Sequence, residues 1–110
     1  SPEDIDFYRS QFTATIQAIY NSVGENAFKN YSNGKFSKKF HPAIFDSLMV
    51  SAYFSISQKN TLPNVSLETH LSLLADSRFK ESISKRTTDI ENIKRRISIA
   101  GHTLFGVVLE

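Results

Sequence analysis

The sequence predicts an all-α protein, a single compact bundle of four to five helices. Three observations lead there. Apolar residues recur at three- and four-residue steps in several long stretches. Helix-start signals stand just before those stretches. No stretch sustains the alternation of a turn-bounded strand. A length of 110 residues suits one domain with one core.

Ser1 before Pro2 reads as an N-cap with proline at the first helical position, and Glu3 and Asp4 favour the helix dipole. Ile5, Tyr8, Phe12, Ile16, Ile19, Tyr20 and Val23 then form an amphipathic stripe that ends near Gly24. "ENAFKNY" reads as a short helix or helical turn, and "SNGK" as a turn. Pro42 starts the next helix. There, Ile44, Phe45, Leu48, Met49, Ala52, Tyr53 and Ile56 make an apolar face wide enough for a nearly buried central helix. "SQKNTLPN", with Pro63, breaks the pattern.

Ser66 caps a fourth helix that carries Leu67, Leu71, Leu73 and Leu74. "ADSRFKESISKR" either continues it or forms a separate short helix with Phe79 and Ile83. In the last helix Thr88 and Glu91 match a capping box, in which the Thr88 hydroxyl accepts from the third helical amide and Glu91 reaches back. Ile90, Ile93, Ile97, Ala100, Leu104 and Val107 continue the stripe. If unbroken to residue 108, that helix is about 30 Å long. Gly101 and Gly106 weaken it or permit close packing.

Hydrophobic residues make up 40% and charged residues 22%, a globular composition. The absence of cysteine removes disulfides, thiolate catalysis and Cys-based zinc sites, and suits a cytoplasmic location. No apolar run has the length of a membrane span, and the acidic start "SPEDID" is unlike a signal peptide, so no membrane partner is expected.

The net charge of +2 is mild, but charge is sorted along the chain. Residues 1–25 hold one base against four acids; residues 29–39 hold four lysines and no acid; residues 78–96 hold seven bases against three acids.

No stretch identifies a reaction. His41, His70 and His102 are far apart and none has metal-helix spacing. Phosphate-binding loops and a nucleophile elbow are absent. No catalytic residue, cofactor or metal is expected. Asp46, inside an apolar helix, needs a partner if buried, and Arg9 and Arg86 are candidates.

The remaining chemistry is basic. "KFSKKF" interleaves lysines with Phe36 and Phe40, which suits phosphate contact with base stacking, or a solvated loop whose phenylalanines anchor to the core. Lys94, Arg95 and Arg96 lie between Ile93 and Ile97. They suit a solvent face on which Glu91 pairs with Arg95. Candidate nucleic-acid contacts are Lys35, Lys38, Lys39, Arg86, Lys94 and Arg95.

Three phrases, "SVGENAFKNY", "FHPAIFDSLMVSAYF" and "LLADSRFKESISKRTTDIENIKRRI", together resemble the helical carboxy-terminal part of the bacterial "domain of unknown function 262" family. These are the GmrSD-type, ParB-like proteins with a D-G-Q-Q-R motif. In that family a glycine-ended helix leads to an Ala-Phe-Arg phrase, then to an Asn-x-Ala-Leu-Phe-Glu helix. An aspartate, phenylalanine, serine, threonine and final arginine follow. Gly24, Ala27 and Phe28 match the first phrase, with Lys29 in place of arginine. Ala43, Ile44, Phe45 and Asp46 match the second, with His41 in place of asparagine. Asp76, Phe79, Ser82, Thr87 or Thr88, and Arg96 match the third. The resemblance spans residues 12–100.

The resemblance implies a non-catalytic helical domain, a fragment of a longer restriction or phage-defence protein. Its neighbours would be a ParB-like NTPase/nuclease domain, and in many members an HNH-type nuclease domain. Phe28, Lys29, Phe45, Asp46, Thr88 and Arg96 would then be structural or interdomain contacts, and the basic face would meet DNA. The alternatives are a freestanding nucleic-acid-binding module and a protein–protein adaptor, the latter marked by an exposed apolar patch on the third or fifth helix.

Overall fold

A computed structural model describes residues 1–60 and 64–108, so the expected break at Pro63 lies outside the described residues. The order is α1 (Pro2–Val23), β1 (Lys29–Ser32), β2 (Lys35–Phe40), α2 (Pro42–Lys59), α3 (Leu67–Ala75), α4 (Ser77–Ser84) and α5 (Ile90–Ala100). The last of these runs into a wider, π-helical turn over Gly101–Phe105. The fold is mostly helical with a small antiparallel hairpin, so the all-α expectation holds only in part.

The hairpin corrects the reading of residues 25–40. "ENAF" forms a turn, and "KNYS" is strand rather than helix. Asn33 and Gly34 both take positive φ, 54° and 80°. That two-residue turn matches the twist of antiparallel strands and fixes the pairing. Tyr31 pairs with Phe36 across the strands, with ring centroids 4.9 Å apart.

The core lies between α2 and the other helices, with Ile44, Leu48, Ala52, Leu73, Leu74, Phe79, Ile83, Ala100 and Leu104 among its buried residues. Helix α2 is central, as its apolar face predicts. It is also buried along a second stripe, Ser47, Ser51 and Ser55. Small side chains let other elements approach closely. The Ser47 hydroxyl donates to the Ala43 carbonyl at 2.6 Å and that of Ser51 to the Ser47 carbonyl at 2.6 Å, which satisfies them inside the helix.

Caps set several boundaries. Ser1 forms a capping box with Asp4, and the Ser66 hydroxyl accepts from the Thr69 amide at 3.1 Å. Asp76 accepts from the Arg78 and Phe79 amides at 2.9 and 3.1 Å, so α4 is a separate helix and not an extension of α3.

Two expectations fail in the last helix. Asp89, not Thr88, is the N-cap, and no side chain caps it; Thr88 is exposed. Arg86 takes a left-handed φ of 49° and its carbonyl accepts from the Asp89 amide at 2.9 Å. This turn displaces Thr88 from the cap and leaves Ile90 exposed. The helix also does not run straight to residue 108. The π turn shifts the register so that Leu104, Phe105 and Val107 are all buried, and Gly106 stops it at a φ of 65°. Lys59 Nζ clamps this end, donating to the Phe105 and Gly106 carbonyls at 2.8 and 3.2 Å.

Helix α1 is the other departure. Its stripe divides: Ile16, Ile19 and Val23 join the core, whereas Ile5, Tyr8 and Phe12 stay exposed. Every residue from Ser1 to Ser10 is exposed, so the first turns of α1 extend past the body of the protein.

Candidate functional site

The described residues contain no group of three or more His, Cys, Asp or Glu able to hold a metal ion. His70, on α3, is fully buried, and neither ring nitrogen has a hydrogen-bond partner among the described residues. Burial pushes its pKa down to about 4, so it is a neutral core ring. His102 is exposed on the π turn. His41 begins α2, and its pKa is lowered by burial and then by the charge of Arg96.

Arg96 is the one buried charge in the described core. It reaches from α5 across the α4–α5 loop and donates through Nη1 to the Thr87 carbonyl at 2.7 Å and the Ser82 carbonyl at 3.4 Å. Burial lowers its pKa, and the carboxylate of Asp46 pulls the other way. Asp46 is exposed on α2, and its electrostatic partner is Arg96, not Arg9 or Arg86.

Some of the residues that carry the family resemblance touch one another, Phe28 with Phe45 and Arg96 with Ser82 and Thr87. The Phe45 ring sits 4.9 Å from that of Phe28 and 5.4 Å from that of Phe40. Ala27, Ala43, Ile44, Phe79 and Ser82 are buried. Lys29 Nζ bonds the Asn26 side chain at 3.2 Å. Phe28, Phe45 and Arg96 therefore hold the domain together from within. Thr88 makes no such contact; the backbone of its neighbour Thr87 does.

The basic candidates remain on the surface. Lys35, Lys38, Lys39, Arg86, Lys94 and Arg95 are all exposed. The Glu91–Arg95 pair does not form an ion pair among the described residues; Arg86 instead stands 4.0 Å from Asp89. Phe36 packs on the core, as an anchor does, while Phe40 is exposed with one side against Phe28.

The structure also carries an open apolar surface feature. Where α1 runs past α2, an open wedge of about 360 Å³ lies between Tyr8, Phe12 and Thr15 on one side and Phe45, Met49 and Tyr53 on the other. Phe12 and Phe45 meet at its floor, 6.4 Å apart, and Phe7 stacks edge-on against Tyr8 at 5.7 Å. Gln11 and Asp46 supply its polar edge. An exposed apolar patch is expected on the third or fifth helix; the wedge lies on that third helix, α2, and on α1 beside it. One sequence signal points to it: Phe7 falls off the Ile5–Tyr8–Phe12 stripe, so α1 is too apolar near its start for one neighbour to cover.

No family model matches the chain, and no match was found among curated proteins or solved structures.

Proposed function

We propose that this chain is a non-catalytic helical packing module that works through a protein-facing surface, the α1–α2 wedge. The wedge carries this reading. It is apolar and open, and surfaces of that kind mark protein contacts. His70 lies in the core and the buried Arg96 bonds backbone carbonyls of its own domain, which fits a packing role.

Motif resemblance adds the setting: a cytoplasmic restriction or phage-defence protein whose chemistry resides in a ParB-like NTPase/nuclease domain. The contacts of Phe28 with Phe45 and of Arg96 with Thr87 are in keeping with it, since residues that hold one fold together recur together. The complete gene product is expected to carry a D-G-Q-Q-R segment upstream. The isolated chain is expected neither to hydrolyse nucleoside triphosphates nor to cut DNA. A gene product without that segment, or hydrolysis by the isolated chain, overturns the proposal.

A second reading, a basic DNA-facing surface, is favoured by β2. Lys35, Lys38 and Lys39 are exposed there with no ion-pair partner among the described residues. Binding to duplex DNA that weakens steeply with salt, and less steeply once these lysines are replaced by glutamine, would support it. Absence of binding at low salt excludes it.

A further inference from the structure

We infer that the α1–α2 wedge is the two-fold interface of a homodimer, in which the exposed first half of α1 from each copy lies in the wedge of the other. This rests on the wedge being a protein-docking surface and names its occupant.

The first observation is that one chain carries both halves of the contact. The wedge suits an apolar helix face, and the exposed half of α1 carries one in Ile5, Phe7 and Tyr8. The two share Tyr8 and Phe12, so donor and receiver form one continuous patch. A patch that complements itself closes with a single two-fold axis and leaves nothing over for further copies.

The second observation is area. Ile5, Phe7, Tyr8, Phe12 and Tyr53 are 58%, 58%, 60%, 50% and 49% exposed. At roughly 200 Å² for a whole large side chain, they leave about 550 Å² of apolar surface in water. A standard interface covers about 800 Å² per partner, and homodimer interfaces are about 65% apolar, which calls for about 520 Å². The patch thus matches the apolar part of one half of a stable dimer.

The third is the state of α1 itself. The first turns of α1 are exposed throughout and gain little stability by themselves, because short helices in water depend on packing of their apolar face. A second copy supplies that packing. The exposed half of α1 carries Glu3, Asp4 and Asp6 against one base, Arg9, so the pairing buries the apolar rows and keeps these charges at the solvent rim, where Arg9 can meet an acid of the other copy.

Sedimentation equilibrium of the whole chain, from low micromolar to submillimolar concentration, tests the inference. A monomer–dimer equilibrium is expected. Tyr8→Glu and Tyr53→Glu should each weaken it by ~30-fold or more. Ala14→Glu, on the outer face of α1, should leave it unchanged. Melting of each variant at the lowest concentration shows whether the fold is kept.

Because the chain has no cysteine, a second measurement is direct. Mixed Tyr8→Cys and Tyr53→Cys chains should cross-link between copies on oxidation, and Ala14→Cys chains should not. A monomer at every concentration overturns the dimer. So does a dimer that survives Tyr8→Glu, or a growing series of oligomers. None of these results touches the family setting, which fails separately if the gene product lacks D-G-Q-Q-R.

Discussion

The guanidinium of Arg96 donates to the carbonyl of Thr87 at 2.7 Å, nine residues earlier in the chain, and through the same nitrogen to that of Ser82 at 3.4 Å. The contact pins the α4–α5 loop against the helix that follows it. It also explains how a third base stands beside Lys94 and Arg95 in the sequence yet plays a different part. The two neighbours are exposed and Arg96 is 4% exposed.

Arg96→Ala should destabilise the fold by about 2–4 kcal/mol, because it leaves two carbonyls without their donor and a void beside buried Ser82. Arg96→Lys keeps the charge but not the planar fork, and should still cost about 1–2 kcal/mol. The midpoint of urea unfolding measures both. An unchanged midpoint would mean that the arginine serves a partner and not its own domain.

His70 makes stability depend on pH. Its pKa is lowered from 6.5 to about 4 by burial, so the unfolded chain takes up a proton in a range where the folded chain does not. Stability is therefore complete above pH 6.5 and falls with acid down to about pH 4, by about 1.4 kcal/mol per pH unit and about 3 kcal/mol in all. His41, lowered by burial and by the charge of Arg96, adds in the same direction. His70→Leu should flatten most of this slope in thermal melts across pH 4–7; a slope that persists would assign it elsewhere.

Asp76 separates α3 from α4. Partial burial raises its pKa, but the amide of Phe79, the side chain and amide of Arg78, and the Arg78 charge together leave it lowered. Its contribution is present above the ordinary carboxylate pKa and is lost as pH falls through the lowered folded value. Asp76→Ala should cost about 1 kcal/mol, and Asp76→Asn, which still accepts from the amides, about half of that or less. Chemical denaturation at neutral pH resolves the two.

Gly34 and Gly106 both take positive φ, 80° and 65°, with different surroundings. A Cβ at Gly34 would meet nothing within 4 Å, whereas one at Gly106 would lie 3.2 Å from Lys59 Nζ. Gly34→Ala should therefore cost about 1 kcal/mol from backbone strain alone. Gly106→Ala should cost about 1–2 kcal/mol, since it also disturbs the lysine clamp on the chain end. Equal losses in melting temperature would show that the clamp yields freely.

The sequence predicts four to five helices through features that are local, with the separation of α3 from α4 left open. Ser1 with Pro2, Ser66 and Pro42 marked starts, and three- and four-residue apolar spacing marked faces. The hairpin was also local in origin: Asn33–Gly34 is a two-residue turn signal with Tyr31 and Phe36 beside it. It was read as a plain turn because its strands, four and six residues long, are too short to show alternation. Spacing alone puts Arg96 on a solvent face with Lys94 and Arg95; contact roles for Phe28, Phe45 and Arg96 are implied by the resemblance alone, and the structure places Arg96 against the Thr87 carbonyl and Phe28 against Phe45. The basic surface residues were legible only as charge, since periodicity does not say which exposed side chains meet a partner.

What the sequence determined by itself was the position of most helices, the starts at Ser1, Pro42 and Ser66, and the apolar composition of the helix faces. Those follow from dihedral preference, capping and spacing within a few residues. Only the tertiary structure decided that Thr88 gives up its cap while the Thr87 carbonyl receives Arg96, that the last helix widens over Gly101–Phe105, and that α1 outruns α2. Each depends on where a second element happens to end. A stripe of apolar residues declares that a face is to be covered; the length and angle of the neighbouring helix decide how much of it is, and here the rows from Ile5 to Phe12 remain open.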